Sequence, residues 1–138
     1  MFSIERHVVG SYRTNCYVLT SAGQALVIDP GDEGDRLIRE LGDAHVSHIV
    51  LTHCHSDHIG AVNELAERYG AIVCVGRDDA VGVADPHLSG FDEEGSDYRV
   101  ERVDRLLDDG DALAWGEDRL EVIATPGHTP GSICLYDP

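Results

Sequence analysis

An α/β layered fold is predicted by three features of the 138-residue sequence. It has short runs rich in Val, Ile and Tyr, intervening segments with apolar residues at helical spacing, and the stretch HCHSDH at 53–58 where a run passes into a segment. Residues 2–9 (FSIERHVV), 14–20 (TNCYVLT) and 24–29 (QALVID) read as three successive strands, with turns at Gly10-Ser11 and Ala22-Gly23. DPGD at 29–32 is a turn signal, after which Leu37, Ile38 and Leu41 fall at helical spacing and Gly42 supplies a stop. Val46 to Thr52 (VSHIVLT) is a further strand that runs into the histidine cluster. A helix is expected next, with Ile59, Val62, Leu65, Ala66 and Tyr69 on one face and Gly70 at its end, and AIVCV at 71–75 follows as a buried strand. This order places the cluster at the C-terminal end of a strand, the edge where ligands commonly bind in such folds.

From Arg77 to Val100 the periodicity fades. Helical hints at DDAVGVADP and the acidic GFDEEGSDY read as an excursion over the surface, near the mouth of a site. RVDRLL, a turn at DDGD, RLEVIAT at 119–125, Pro126-Gly127-His128 and SICLY at 132–136 make the last third β-rich. No repeat and no Pro/Ser-rich linker interrupts the chain, so residues 1–138 are expected to form one domain.

The formal net charge is -16, with acidic residues spread along the whole chain to Asp137. Such a field repels phosphate backbones and anionic lipid, which argues against a nucleic-acid or membrane partner. All ten basic residues are Arg, so Schiff-base chemistry and a phosphate-loop lysine are excluded. No run approaches the roughly 20 apolar residues of a membrane span, and MFSIERHVVG lacks the pattern of a signal peptide, so a cytoplasmic location is expected. Cys16, Cys74 and Cys134 lie in apolar runs and are expected in the core as reduced thiols.

Within HCHSDH, His53 and His55 are two apart at a strand end, so extended backbone would point both imidazoles the same way, toward one ion. Asp57 and His58 open the next helix, where a bend can aim them at a neighbouring point, as a two-metal site requires. Imidazole mixed with carboxylate suits zinc and also accepts iron or manganese. Single histidines in such positions are commonly solvated, and Asp57 alone would read as a helix cap; the density of the cluster sets it apart. Cys54, between two candidate ligands, should point the other way and pack. His7, His45 and His48 read as structural or solvated, and His87 as a residue that could face the site mouth.

HCHSDH matches the H-x-H-x-D-H signature of the metallo-β-lactamase superfamily. TNCYVL at 14–19, VIDPGD at 27–32 and TPGHTPGS at 125–132 agree with it in order, so the chain resembles that superfamily over essentially its whole length, and its hydroxyacylglutathione hydrolase (glyoxalase II)-like branch in particular. The resemblance implies a four-layer αββα sandwich with the site at one edge of its two sheets. It assigns His53, His55 and His128 to a first metal and Asp57 and His58 to a second, and makes Asp29 a supporting acidic residue, although an Asp that merely closes a turn would look the same. Gly127 and Gly131 would let the backbone bring His128 close.

The activity implied is metal-dependent hydrolysis of a small thioester or ester by water activated on the ion, with Asp57 orienting that water and taking up its proton. Alternatives are an iron-dependent persulfide dioxygenase-like enzyme and a non-catalytic metal-binding module; β-lactam hydrolysis fits the glyoxalase-like motifs less well. A complete domain of this kind continues beyond SICLY with a Gly-Asp motif and a further histidine. Neither follows Tyr136-Asp137-Pro138, so the C-terminal portion is expected to be absent, the second site incomplete and the activity weak. Self-association, as a homodimer or by strand exchange, is expected from the uncovered edge.

Overall fold

Side chains that alternate from one face to the other along each strand determine how the layers stack. In the computed structural model, which describes residues 1–138, β1 (Ser3–Val9), β2 (Thr14–Ser21) and β3 (Gln24–Ile28) form an antiparallel meander. Helix α1 (Gly34–Leu41) then crosses to β4 (His45–Leu51), which pairs parallel with β3. Helices α2 (Ser56–Ile59) and α3 (Val62–Tyr69) lead to β5 (Ile72–Gly76), again parallel. Short helices α4 (Ala80–Val83) and α5 (Pro86–Ser89) precede β6 (Arg105–Leu107), which completes a six-stranded sheet of order β1-β2-β3-β4-β5-β6. Strands β7 (Ala112–Trp115), β8 (Asp118–Ala124) and β9 (Ile133–Tyr136) make a second, antiparallel sheet.

Ala25, Val27, Ile49 and Leu51 face one way and pack with Leu37, Val62 and Leu65 of the helices. Leu26, Ile28 and Val50 face the other way and meet Leu113, Trp115, Leu120 and Val122 of the second sheet. Each fully buried Leu or Ile contributes about 1.5–3 kcal/mol. The Trp115 indole, buried between the sheets, donates to the Leu19 carbonyl at 3.1 Å, which satisfies its one polar atom.

Four expectations are corrected. The helix after the cluster is two helices: the Gly60 and Ala61 amides donate to the carbonyls of Gly31 and Pro30 instead of continuing the ladder. The 77–100 segment is more than a surface excursion. Val83 and Val100 are in the core, joined by a Val100 N to Val83 O bond of 2.9 Å, and the Tyr98 hydroxyl donates to the Ile59 carbonyl. Strand β7 (ALAW) has no β-branched residue and was not foreseen. Cys134 is exposed, because it pairs with Ile123 on the outer face of the second sheet, over which no helix lies. Helix, six-stranded sheet and three-stranded sheet thus form three layers of the expected four.

Candidate metal centre

The C-terminal ends of β3 and β4 lie side by side, tied by a bond from Asp29 N to Val50 O of 3.0 Å. Asp29 follows β3 with φ 55°, in the left-handed region that Asp tolerates better than most residues. Its buried carboxylate takes three donors: Thr52 N at 2.8 Å on Oδ1, and Thr52 Oγ1 at 2.6 Å and His58 Nδ1 at 2.9 Å on Oδ2. Thr52 Oγ1, having spent its proton on Asp29, accepts from His53 Nδ1 at 3.0 Å. One carboxylate therefore fixes two rings, His58 directly and His53 through Thr52, and leaves Nε2 of each free to ligate.

The turn that carries Asp29 is pressed onto the start of α2. A Cβ on Gly31 would collide with the Asp57 carbonyl, and one on Gly60 with the Gly31 carbonyl, so only glycine allows the approach that sets Asp57 and His58 beside Asp29. The Asp57 carboxylate accepts from Thr14 Oγ1 and lies 3.4 Å from His58 Nε2.

His128 comes from the loop between β8 and β9, whose far end is tied to β4 by a bond from Ile133 N to Thr52 O of 3.0 Å. Its Nε2 stands 3.0 Å from His55 Nδ1. Two nitrogens on a tetrahedral ion with bonds of about 2.0–2.1 Å would stand about 3.3 Å apart, so a small adjustment converts this contact into shared ligation. The donor atoms of His53, His55 and His128 lie within 4.8 Å of one another, and so do those of Asp29, His53 and His58. His53 belongs to both groups, and imidazole with carboxylate is a donor set that zinc, iron or manganese can use.

The charge states suit ligation. Burial first, then the charges of His58, His55 and His128, push the His53 imidazole down to about 4 against the opposing pull of Asp29, which favours the neutral, ligating form. Burial also acts to lower His58, but its hydrogen bond to Asp29 and the charges of Asp29 and Asp57 leave it above its ordinary value. Burial, with Asp79 beside it, pushes the Cys54 thiol up to about 12, so Cys54 stays protonated and packs, as its position between two outward-facing histidines predicts.

The structure thus brings together all five residues of the expected metal site and the expected supporting Asp29. Asp57 adjoins His58 without entering either tight donor group. His7 pairs with Glu40 at 2.6 Å, His48 with Ser47 at 2.8 Å, and His45 is exposed, all three away from the site. His87, paired with Asp92, lines a groove of about 500 Å³ together with Tyr12, His55, Ser56, Asp57 and Glu94. Sequence reasoning missed Thr52, the relay between Asp29 and His53, and the buried Asp79; nothing in the local pattern separates either from an ordinary strand-end threonine or helix-start acid.

Residues 9–138 match the family model of the metallo-β-lactamase superfamily, and the chain belongs to that superfamily. Among its relatives is the "Probable metallo-hydrolase YqgX" of Bacillus subtilis, 36% identical over 95% of this chain and 64% of the relative. Another is the hydroxyacylglutathione hydrolase GloC of Haemophilus influenzae, 29% identical over 95% of this chain and 64% of the relative. The chain thus spans somewhat under two thirds of the length of these proteins. Among solved structures, the B3 metallo-β-lactamase BLEG-1 superposes with a TM-score of 0.90 at 31% identity, covering 98% of this chain and 67% of that one. TTHA1623 in a di-iron-bound form gives 0.83 at 27% identity, covering 97% and 67%. No helix is long and apolar enough to cross a membrane.

Proposed function

We propose that the protein is a metal-dependent hydrolase of small thioesters or esters, similar in reaction to hydroxyacylglutathione hydrolases. The observation that carries this reading is the convergence of the donor atoms of His53, His55 and His128 beside an open groove that His55 and Asp57 line. His53, His55 and His128 would hold one ion, zinc by preference, and His58 with Asp57 would contribute to a second. When bound, such an ion supplies a Lewis acid that lowers the pKa of a coordinated water and polarises a carbonyl. Asp57, part exposed beside His58, would orient the attacking water and take its proton. Asp29 keeps both neighbouring rings aimed at the ion while remaining saturated with its own donors.

The test is thiol release from S-lactoylglutathione and from an uncharged thioester by the zinc-loaded chain. Zinc-dependent release is expected, falling by about 10²–10⁴-fold in Asp57→Asn; bound zinc without release from either substrate would contradict the reading and favour a non-catalytic metal-binding module. The likeness to BLEG-1 supports a second reading, β-lactam hydrolysis, which turnover of a chromogenic cephalosporin in place of thioesters would select. The likeness to TTHA1623 supports iron as the alternative metal.

A further inference from the structure

His128 is the one donor whose loop is exposed around it, and what seats that loop is a carboxylate that the proposed chemistry does not use. Asp79, 1% exposed, ends the 3₁₀ turn Arg77–Asp79 that follows β5. Its Oδ2 accepts from Thr129 Oγ1 at 2.6 Å and its Oδ1 from Gly131 N at 2.8 Å. Thr129, the neighbour of His128, also accepts from the Ser132 hydroxyl at 2.7 Å, and Ser132 Oγ takes the Thr129 amide at 3.1 Å. The turn after His128 is thereby closed onto the carboxylate. Contact is tight: a Cβ on Gly131 would collide with the backbone of Asp78 and Asp79, and one on Gly76 with the Gly131 carbonyl.

The helix that follows Asp79 also faces the other side of the site. Cys54, between His53 and His55, packs against it. Gly82 leaves the room this needs, since a Cβ there would meet Cys54 Sγ at 2.6 Å. The turn and helix around Asp79 therefore adjoin both of the loops that carry donor imidazoles, although His55 and His128 are 73 residues apart in sequence.

We infer that Asp79 is a positioning residue of the metal centre: by holding Thr129 and Gly131, it sets the place of His128 beside His55. The inference rests on the metal-centre reading above. It differs from a general packing role in what it predicts. Removing the Thr129 hydroxyl should misplace His128 while leaving His53 and His58 held by Asp29. Partners that orient metal ligands typically cost about 10–100-fold in metal affinity when removed.

The experiment compares the parent with Asp79→Asn, Thr129→Val and Thr129→Ser. Zinc affinity is read by competition with a chromophoric chelator, amide hydrogen exchange across 126–132 in the metal-free chain, and folding by circular dichroism and thermal melting. Thr129→Val, which keeps the shape and loses the donor, is expected to stay folded, bind zinc about 10–100-fold more weakly and exchange faster across 126–132. Asp79→Asn should do the same, because its amide offers a donor where a donor must be accepted, and Thr129→Ser should restore parental values. Variants that melt earlier yet bind zinc like the parent would overturn the inference and leave Asp79 a packing residue. If the parent itself binds no zinc, the metal-centre reading fails separately, and unchanged exchange in Thr129→Val would then overturn the positioning role as well.

Discussion

The β4 side of the site and the His128 side differ in what holds them. His53 and His55 follow a strand whose Ile49, Val50 and Leu51 are fully buried, and Asp29 from the adjacent strand end fixes the rings of His53 and His58 within a few residues of the backbone that carries them. Pro126, Gly127 and His128 are exposed, and the buried anchors of the loop lie past His128, at Thr129, Gly131 and Ile133. A ligand set on a strand end inherits the rigidity of the sheet. One delivered by a loop needs its own buried anchor.

The strongest way to break this comparison is at a strand-end ligand. His53→Ala removes the imidazole that Thr52 and Asp29 hold in place and is expected to weaken zinc binding by more than about 100-fold, beyond what loss of an orienting partner costs. His128→Ala leaves the rings of His53 and His58 held by Asp29 and should retain more residual affinity in the same chelator competition; equal losses would mean that the strand-end ligands are no better held than His128. Next, Asp29→Asn offers His58 and Thr52 a donor in place of one acceptor oxygen and should cost about 10–100-fold in affinity with little change in the exchange of residues 126–132. A smaller effect belongs to the glycines that let each half close. Gly31→Ala and Gly131→Ala each insert a Cβ against backbone, and each should lower stability to urea by about 1–3 kcal/mol. Loss of stability in only one of them would show that the other half can relax.

The weakest effect concerns the outer edge of the second sheet. We propose that β9, an edge strand beside the apolar groove formed by Phe2, Ile4, Leu19 and Leu135, pairs with a second copy at high concentration. Sedimentation should then show a concentration-dependent dimer that Leu135→Lys disperses, and a monomer at every concentration would remove the proposal.

The legible parts of the sequence were those in which chemistry repeats locally. Continuous apolar runs such as QALVI marked strands because each face must be apolar between two layers, and Leu37 with Leu41 marked α1 because one stripe must be buried. The cluster at 53–58 was legible because imidazoles in that density have few structural uses, and His128 only through the resemblance of TPGHTPGS to the superfamily's motif. Long-range contacts were not. The break between α2 and α3 is imposed by carbonyls of Pro30 and Gly31, which nothing near Gly60 announces. Asp78 and Asp79 are neighbours of the same type, and only the folded chain shows that Asp79 alone turns inward to meet Thr129 and Gly131, some 50 residues on. Cys134 sits in a run as apolar as those of Cys16 and Cys74, yet its face of the sheet is open.

The most direct test of the account is the metal content per chain, measured by inductively coupled plasma mass spectrometry on protein purified without chelators or an affinity metal, with His53→Ala prepared in parallel. About one zinc per chain in the parent, absent from the variant, is the result expected of a three-histidine site to which His53 contributes a ligand. A parent without metal, or a variant that keeps its full complement, would contradict it.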